Sequence, residues 1–468
     1  MSDAVFALDL EHAEAILPRY DRPAPRYTSY PTAPVWKEDY GPAQLLAELG
    51  RTDVDPRDGL SIYVHVPFCS SLCHFCACNR FITNDPEIPE RYLEGIAREV
   101  ETVRRAIRVP RTATQQHWGG GTPTHLTPAQ VKRLYGIVTD AFPMRPDAEI
   151  SIEVDPRVTS EEHLAALREC GFNRISMGVQ DFDPRVQEAV HRIQPAEMTA
   201  LLVEKARRLG FLSVNLDLIY GLPYQREETF GPTLDQVLAI RPDRIALYSY
   251  AHVTWVAKQQ RGFERKDLPD PKTKLRIMLL AIRRFLEEGY LFIGLDHFAL
   301  PDDELSVALR ERTLRRNFMG HTTQAGVDLL GFGASAISEL RGSYAQSHRE
   351  LEAWRRALRE RGVATMRGHF LSRDDIERRW IIQRLICLSE VRACDYREAF
   401  GGELAERYPK ELAQLEPAVA DGLVVLEGDG SFFLTPLGRL LVRNVAMAFD
   451  AYLPEQERSG MRIFSKAV

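Results

Sequence analysis

Six times between residues 61 and 288 a short β-rich run is followed by a longer amphipathic stretch. The strands are expected at Ser61–Pro67, Gln115–Gly119, Ile150–Val154, Arg174–Val179, Leu212–Ile219 and Arg244–Tyr250. The helices are expected at Pro89–Arg108, Pro128–Phe142, Ser160–Glu169, Ala196–Leu209, Glu228–Leu238 and Lys272–Glu288. Tyr92, Ile96, Val100, Val103 and Ile107 recur at helical spacing in the first of these. Thr127 is placed to cap the second, with Pro128 at its first position, and Gly171, Gly210 and Gly289 mark helix ends. Repeated β-then-α units require parallel strands joined by right-handed crossovers. Six units are too few for a full eight-fold barrel. A Rossmann-like open sheet and an incomplete barrel both fit the pattern.

In either architecture ligands sit at the carboxyl ends of the strands. Unusual residues gather at all six of those ends. Cys69 follows the first strand and Gly119-Gly-Gly-Thr122 the second; Glu153 and Asp155 end the third. Gln180 and Asp181 end the fourth, Asp217 and Tyr220 the fifth, and Ala251 and His252 follow the sixth.

The first end carries the densest chemistry: His65-Val-Pro-Phe-Cys69-Ser-Ser-Leu-Cys73-His-Phe-Cys76-Ala-Cys78. Four of seven cysteines fall in this loop, while Cys170, Cys387 and Cys394 are scattered. Buried structural cysteines have no reason to cluster. A zinc site needs a second pair of ligands to close its tetrahedron. A C-x-x-C redox dithiol uses only Cys73 and Cys76. An iron–sulfur cluster on three thiolates, with one iron open to a small molecule, accounts for more of the loop.

The C-x3-C-x2-C spacing after Pro-Phe resembles the signature of radical S-adenosylmethionine (SAM) enzymes. The wording of the whole chain resembles one family, the oxygen-independent coproporphyrinogen III oxidases of haem biosynthesis. The likeness is carried by Pro25-Arg-Tyr-Thr-Ser-Tyr-Pro-Thr32, Trp118-Gly-Gly-Gly-Thr-Pro-Thr124, Ser151-Ile-Glu-Val-Asp-Pro156 and Asn173-Arg-Ile-Ser-Met-Gly-Val-Gln-Asp181. Asp217-Leu-Ile-Tyr-Gly-Leu-Pro223, Asp296-His-Phe-Ala299 and Thr322-Thr-Gln324 extend it.

The resemblance implies an α/β fold: an incomplete six-unit (β/α) barrel of radical SAM type. Residues 1–55 would be an N-terminal arm, 56–345 the catalytic domain, and 346–468 a mainly helical, winged-helix-like C-terminal domain. It implies that Cys69, Cys73 and Cys76 hold a [4Fe–4S] cluster. SAM would bind the open iron and be cleaved to a 5′-deoxyadenosyl radical. Two SAM sites are implied. Tyr63, Gly120, Glu153 and Ile337 belong to the cluster-bound SAM; Phe75, Gly121, Thr122, Gln180, Arg192, Asp217 and Ala251 belong to the second. Cys78 is a further thiol of open role, as a non-ligating neighbour that protects or tunes the cluster. The bland alternatives are a salt bridge for Arg192 and a strand-end cap for Asp217. The substrate would be coproporphyrinogen III, two of whose propionates become vinyl groups, with an external electron donor for the cluster. Arg22, Arg26, Arg315 and Arg316 are candidates for its carboxylates, beside plain surface roles. The wording departs from the family at Val253-Thr-Trp255, Leu300 and His321. Related carriers of haem lack the C-x-C thiol and the Tyr-Thr-Ser-Tyr-Pro-Thr arm, both present here. A haem-modifying radical SAM methyltransferase and a zinc-stabilised interaction protein are further alternatives.

Composition narrows the partners. A net charge of −6 argues against general nucleic-acid binding. The apolar run Ile277–Ile282 is too short to span a bilayer, and the first twenty residues lack the apolar core of a signal peptide. Clustered cysteines suit a reducing cytoplasm, and the family suggests a monomer.

Beyond the barrel, residues 8–17 are expected to be helical, and Arg22–Trp36 reads as an irregular arm, either wrapped on the body or near the substrate entrance. A strand is expected at Tyr290–Phe298, helices at 345–361 and 373–389, and a hairpin at Leu423–Leu434 turning at Gly428-Asp-Gly430. Helices around that hairpin carry acids as freely as bases, so a lid or substrate-positioning role is preferred to DNA binding. Gly331-Phe-Gly-Ala-Ser-Ala336 matches a dinucleotide fingerprint in isolation; a close backbone approach to another ligand is the preferred reading.

Overall fold

The computed structural model describes residues 10–254, 257–324 and 326–454. The six expected strands form as β1 (Leu60–Val66), β2 (Ala113–Gly120), β3 (Met144–Val154), β4 (Arg174–Gln180), β5 (Ser213–Tyr220) and β6 (Arg244–Ser249). They lie side by side in chain order, and each neighbouring pair is parallel. A doubly wound sheet reverses its strand order at a switch point. No reversal occurs among these six, so barrel order holds and the Rossmann-like alternative does not.

Local chemistry starts and stops the crossover helices as expected. The Thr127 hydroxyl accepts from Gln130 N at 3.3 Å, with Pro128 opening helix Pro128–Ala141. Gly171, just past helix Glu161–Glu169, takes φ +90°, which a side chain would disfavour. Apolar faces of helix and strand meet in one large core that includes Ile62, Val64, Trp118, Ile152, Met177, Leu216 and Ile245.

The stretch expected as one strand, Tyr290–Phe298, is two: β7 (Leu291–Gly294) and β8 (His297–Ala299), antiparallel, with β8 on β6. Gly294 at φ +146° and Leu295 at φ +53° reverse the chain between them. A separate ribbon, β9 (Arg315–Asn317) and β10 (Gly320–Thr322), follows. β11 (Asp328–Phe332) then pairs in parallel with the free side of β1. Antiparallel strands β12 (Ile337–Leu340), β13 (Ser343–Ser347) and β14 (Thr365–Phe370) continue from it, so the sheet runs past residue 345. Residues 345–347, expected to be helical, belong to β13; helix runs only over Leu351–Arg361. Pairing on both sides overrides local preference there.

Helix Arg373–Leu388 bridges the two ends of this sheet. Its Arg379 reaches Tyr344 (3.3 Å) and Glu339 (3.6 Å) on one side. Its Gln383 donates to Arg316 O at 3.2 Å, and Ile386 O lies against Gly294 on the other. The hairpin forms as β16 (Val424–Leu426) and β17 (Phe432–Leu434), joined by β15 (Glu390–Val391). Helix Leu10–Tyr20 and the arm pack into this second core through Leu17, Tyr27 and Tyr30; residues 8 and 9 of the expected helix lie outside the described residues. Arg443 donates to Pro25 O (3.0 Å) and Asn444 to Tyr20 O (2.9 Å). No helix of the described residues is long and apolar enough to cross a membrane.

Candidate active site

The cysteine loop leaves β1 at the carboxyl edge. Cys69 lies in a short ladder opposite Ile82, and Cys73 is buried. Cys69 Sγ is 3.5 Å from Thr122 Oγ1. Cys73 Sγ accepts from Arg157 Nη2 at 3.4 Å and lies 3.8 Å from Arg192 Nη1. Burial pushes the Cys69 thiol up to about 11. A hydrogen bond from Cys78 holds Cys76 below the ordinary thiol range. Two guanidiniums facing Cys73 offset the charge of thiolates gathered in one place. Among the described residues no three His, Cys, Asp or Glu side chains are grouped as ligands of a single ion. Three thiols on one loop, backed by cations, fit a cluster that gives each thiol its own iron.

The loop is held from behind. His74 N donates to Val190 O at 2.9 Å, and its ring stacks on His191 at 5.2 Å. Gln260 is buried and links three backbones. Its Nε2 donates to Phe75 O (3.0 Å) and Ala251 O (3.1 Å), while its Oε1 accepts from Val253 N at 2.6 Å. Phe75 and Ala251, assigned to one SAM site, are thus tied to each other by a residue that the sequence did not single out.

Gly119, Gly120 and Gly121 form a tight edge beside this loop. A Cβ on Gly119 would come 2.8 Å from the Glu153 carboxylate; on Gly121, 2.6 Å from the Pro67 backbone. Gly120 takes φ +119°, and a Cβ there would lie 2.5 Å from the His65 ring. Its N–H donates to Glu153 Oε2 at 3.1 Å. Glu153 also faces His117 Nε2 at 3.5 Å, and its side chain is 48% exposed. Enclosure alone would raise this carboxyl, but the bonds from His117 and Gly120 hold it below its ordinary range. Tyr63 bonds His65 Nδ1 at 3.0 Å and stacks on His117. Tyr63 also pairs with Gly331, whose missing side chain admits the Ile337 backbone. The glycines of Gly331-Phe-Gly333 therefore serve close packing: Gly333 is pressed against Tyr92 and His65. A strand, not a helix, follows them, so the dinucleotide fingerprint has no structural basis.

On the other side of the opening, Gln180 sits at φ +67° where the β4–β5 register shifts. Asp217 accepts from Asn215 (2.8 Å) and Ser176 (3.1 Å). Burial, with the Glu153 charge behind it, still pushes Asp217 up to about 7. Such a carboxyl gains from a ligand that brings hydroxyls or an ammonium group. Arg192 is buried and already paired: Nη1 to Asp155 at 3.0 Å and Nη2 to Gly178 O at 2.8 Å. The salt bridge, not a free carboxylate clamp, is what its guanidinium makes here. Arg157 shares the same Asp155 carboxylate at 2.6 Å.

Of the four arginines considered for substrate, Arg22 is exposed and Arg315 donates to Leu314 O at 2.9 Å. Arg26 and Arg316 point inward. Arg26 lies over the Tyr248 ring at 5.5 Å and faces Asp296 at 3.4 Å, so the arm is wrapped on the body and reaches β6. Asp217 and His297 share a face because Gly178, Asp217, Ala246 and His297 stand opposite one another in successive strands. His117, Arg157, Tyr248 and Gln260 had no role expected from the sequence. His117 was discoverable, two positions before the glycine edge on a strand of period two; Gln260 carried no local signal.

Comparison with known proteins agrees with this geometry. The radical SAM superfamily matches residues 63–237 and the HemN C-terminal domain matches residues 371–441. An oxygen-independent coproporphyrinogen III oxidase of Synechocystis is 42% identical over 465 residues, 98% of each chain. The one from Escherichia coli is 44% identical over 97% of this chain and 98% of its own. A solved structure of the Escherichia coli coproporphyrinogen III oxidase HemN superposes with a TM-score of 0.88 at 44% identity, covering 91% of this chain and 97% of that one.

Proposed function

The chain belongs to the oxygen-independent coproporphyrinogen III oxidase family of radical SAM enzymes, and from that premise we infer how its residues divide the work. The reaction converts two propionate side chains of coproporphyrinogen III to vinyl groups with loss of CO2, giving protoporphyrinogen IX in haem biosynthesis. When bound, the [4Fe–4S] cluster and SAM supply an electron and a carbon radical able to take a hydrogen atom from a propionate. Cys69, Cys73 and Cys76 would hold the cluster, with Arg157 and Arg192 balancing the charge at Cys73. The glycine edge and Glu153 would take the methionyl part of the first SAM, since backbone at Gly120 can approach where no side chain intervenes. Asp217, Gln180, Phe75 and Ala251 would line the second. Arg192 supports that site through Asp155 and Gly178 rather than by gripping a ligand. A tetrapyrrole in the lumen, an external electron donor, and a monomer acting in the cytoplasm complete the reading.

The observation that carries it is the meeting of three loop thiols, a side-chain-free edge and two carboxylates at one set of strand ends. An anaerobic assay with SAM, a strong reductant and coproporphyrinogen III tests it. The expected result is 5′-deoxyadenosine together with a porphyrinogen that has lost two carboxylates. SAM cleavage without decarboxylated product would overturn the substrate assignment.

A further inference from the structure

Inside the barrel, near β6 and β8, several nitrogens face one another without an acceptor. Nε and Nη1 of Arg316, both ring nitrogens of His321 and Nδ1 of His297 are shut off from solvent and make no hydrogen bond. Arg316 and His321 stand directly opposite in the β9–β10 ribbon, so their side chains share a face. The His321 and His297 rings are 5.1 Å apart, and His297 lies edge-on to Tyr248 at 6.0 Å. Arg26 lies over that same Tyr248 ring, 5.5 Å from its centre.

The charges do not balance. Arg26 and Arg316 bring two positive charges, and Asp296 supplies one negative charge, 3.4 Å from Arg26. Leaving a guanidinium enclosed without a carboxylate is costly, and burial accordingly lowers the Arg316 pKa. Burial also keeps His297 and His321 neutral, so each offers one N–H without further charge. The three residues are not sealed in: Arg316, His321 and His297 are each only half-buried, and the Arg26 side chain is 38% exposed. The missing partner is an anion that can accept several N–H bonds at once. A carboxylate does this, and its two oxygens match the guanidinium fork.

We propose that Arg316, with His321 and His297 at its side and Arg26 across from it, forms the seat of one carboxylate of the tetrapyrrole substrate. This rests on the functional reading above. The seat lies at the β6 end of the parallel strands, beside antiparallel β8, whereas the cysteine loop follows β1. The carboxylate held there is an anchor, which fixes the macrocycle while another propionate meets the reacting atoms. Arg316 is thus a binding residue whose contact sets which propionate is presented.

The test is a fluorescence titration of the purified anaerobic protein with coproporphyrin III, the stable oxidised form that carries the same four carboxylates, and with its tetramethyl ester. Arg316→Gln should weaken binding of the acid at least tenfold, and Arg316→Lys should lose less. The ester should bind wild type and Arg316→Gln alike. Wild-type affinity for the acid in Arg316→Gln would overturn the proposal. Should that variant fail to fold, His321→Phe is titrated instead: a severalfold loss is expected, and unchanged affinity overturns the seat. A wild-type protein that decarboxylates coproporphyrinogen III while these variants bind normally removes only the seat. A wild-type protein that neither binds nor decarboxylates removes the functional reading with it.

Discussion

Asp155 offers a quantitative test of how the ground beneath the cysteine loop is held. Its carboxylate is 9% exposed and accepts from Arg192 (3.0 Å) and Arg157 (2.6 Å) at once. Asp155→Ala strips the counter-charge from both. Arg192 is 8% exposed and cannot turn to water in place. An orphaned buried charge costs about 3–5 kcal/mol. Arg192→Met is milder, because Asp155 keeps Arg157. The loss is then that of hydrogen bonds to a charged group, about 1.5–3 kcal/mol. The double variant removes both the orphan and its partner, leaving only Arg157, which is 18% exposed. It should be more stable than Asp155→Ala alone, with a coupling energy above about 1 kcal/mol. Urea denaturation of the anaerobically purified protein, followed by far-UV circular dichroism, measures all three. Additive losses, or an Asp155→Ala cost under about 1 kcal/mol, would refute the reasoning and mean that solvent reaches these arginines.

Replacing Cys69, Cys73 or Cys76 with Ser should abolish SAM cleavage and lower bound iron, whereas Cys78→Ser should keep its iron; metal analysis of anaerobic preparations decides. Asp217 titrates near 7 when folded because burial and the Glu153 charge disfavour its ionised form. Its protonated form therefore favours the fold at acid pH, and that advantage fades as pH rises from about 4, the unfolded value, through the folded one. Asp217→Asn should flatten this part of the melting-temperature profile measured without SAM; an unchanged slope would contradict the assignment. Gln260→Ala removes three partly buried hydrogen bonds, a loss of about 1.5–4.5 kcal/mol at typical values. It should quicken cluster loss to a chelator, read from the decay of the visible absorbance.

The strands were legible because each β-rich run is short and ends on chemically odd residues, and Thr127-Pro128 announced its helix without outside help. The barrel order was not, since strand neighbours are chosen by contacts across the fold; the alternation of Ile62, Val64 and Val66 suits either sheet. The crowding of Cys69, Cys73, Cys76 and Cys78 on one loop was plain in the sequence. The partner of Arg192 was not, because Asp155 lies 37 residues away in sequence. Residues 345–347 misled because their strand identity comes from flanking strands on both sides, and Tyr290–Phe298 because the turn at Gly294-Leu295 interrupts an otherwise continuous apolar pattern.

The contacts of Arg443 and Asn444 with residues 20–25 bear on biosynthesis. A chain emerging from the ribosome makes the Arg26 segment first, yet its resting place includes residues translated some four hundred codons later. The barrel strands can pair while synthesis continues, but the segment that carries Arg26 over Tyr248 is not held in place until residues 443 and 444 have been made. A partly made chain would thus carry the cysteine loop without a finished chamber for its macrocycle.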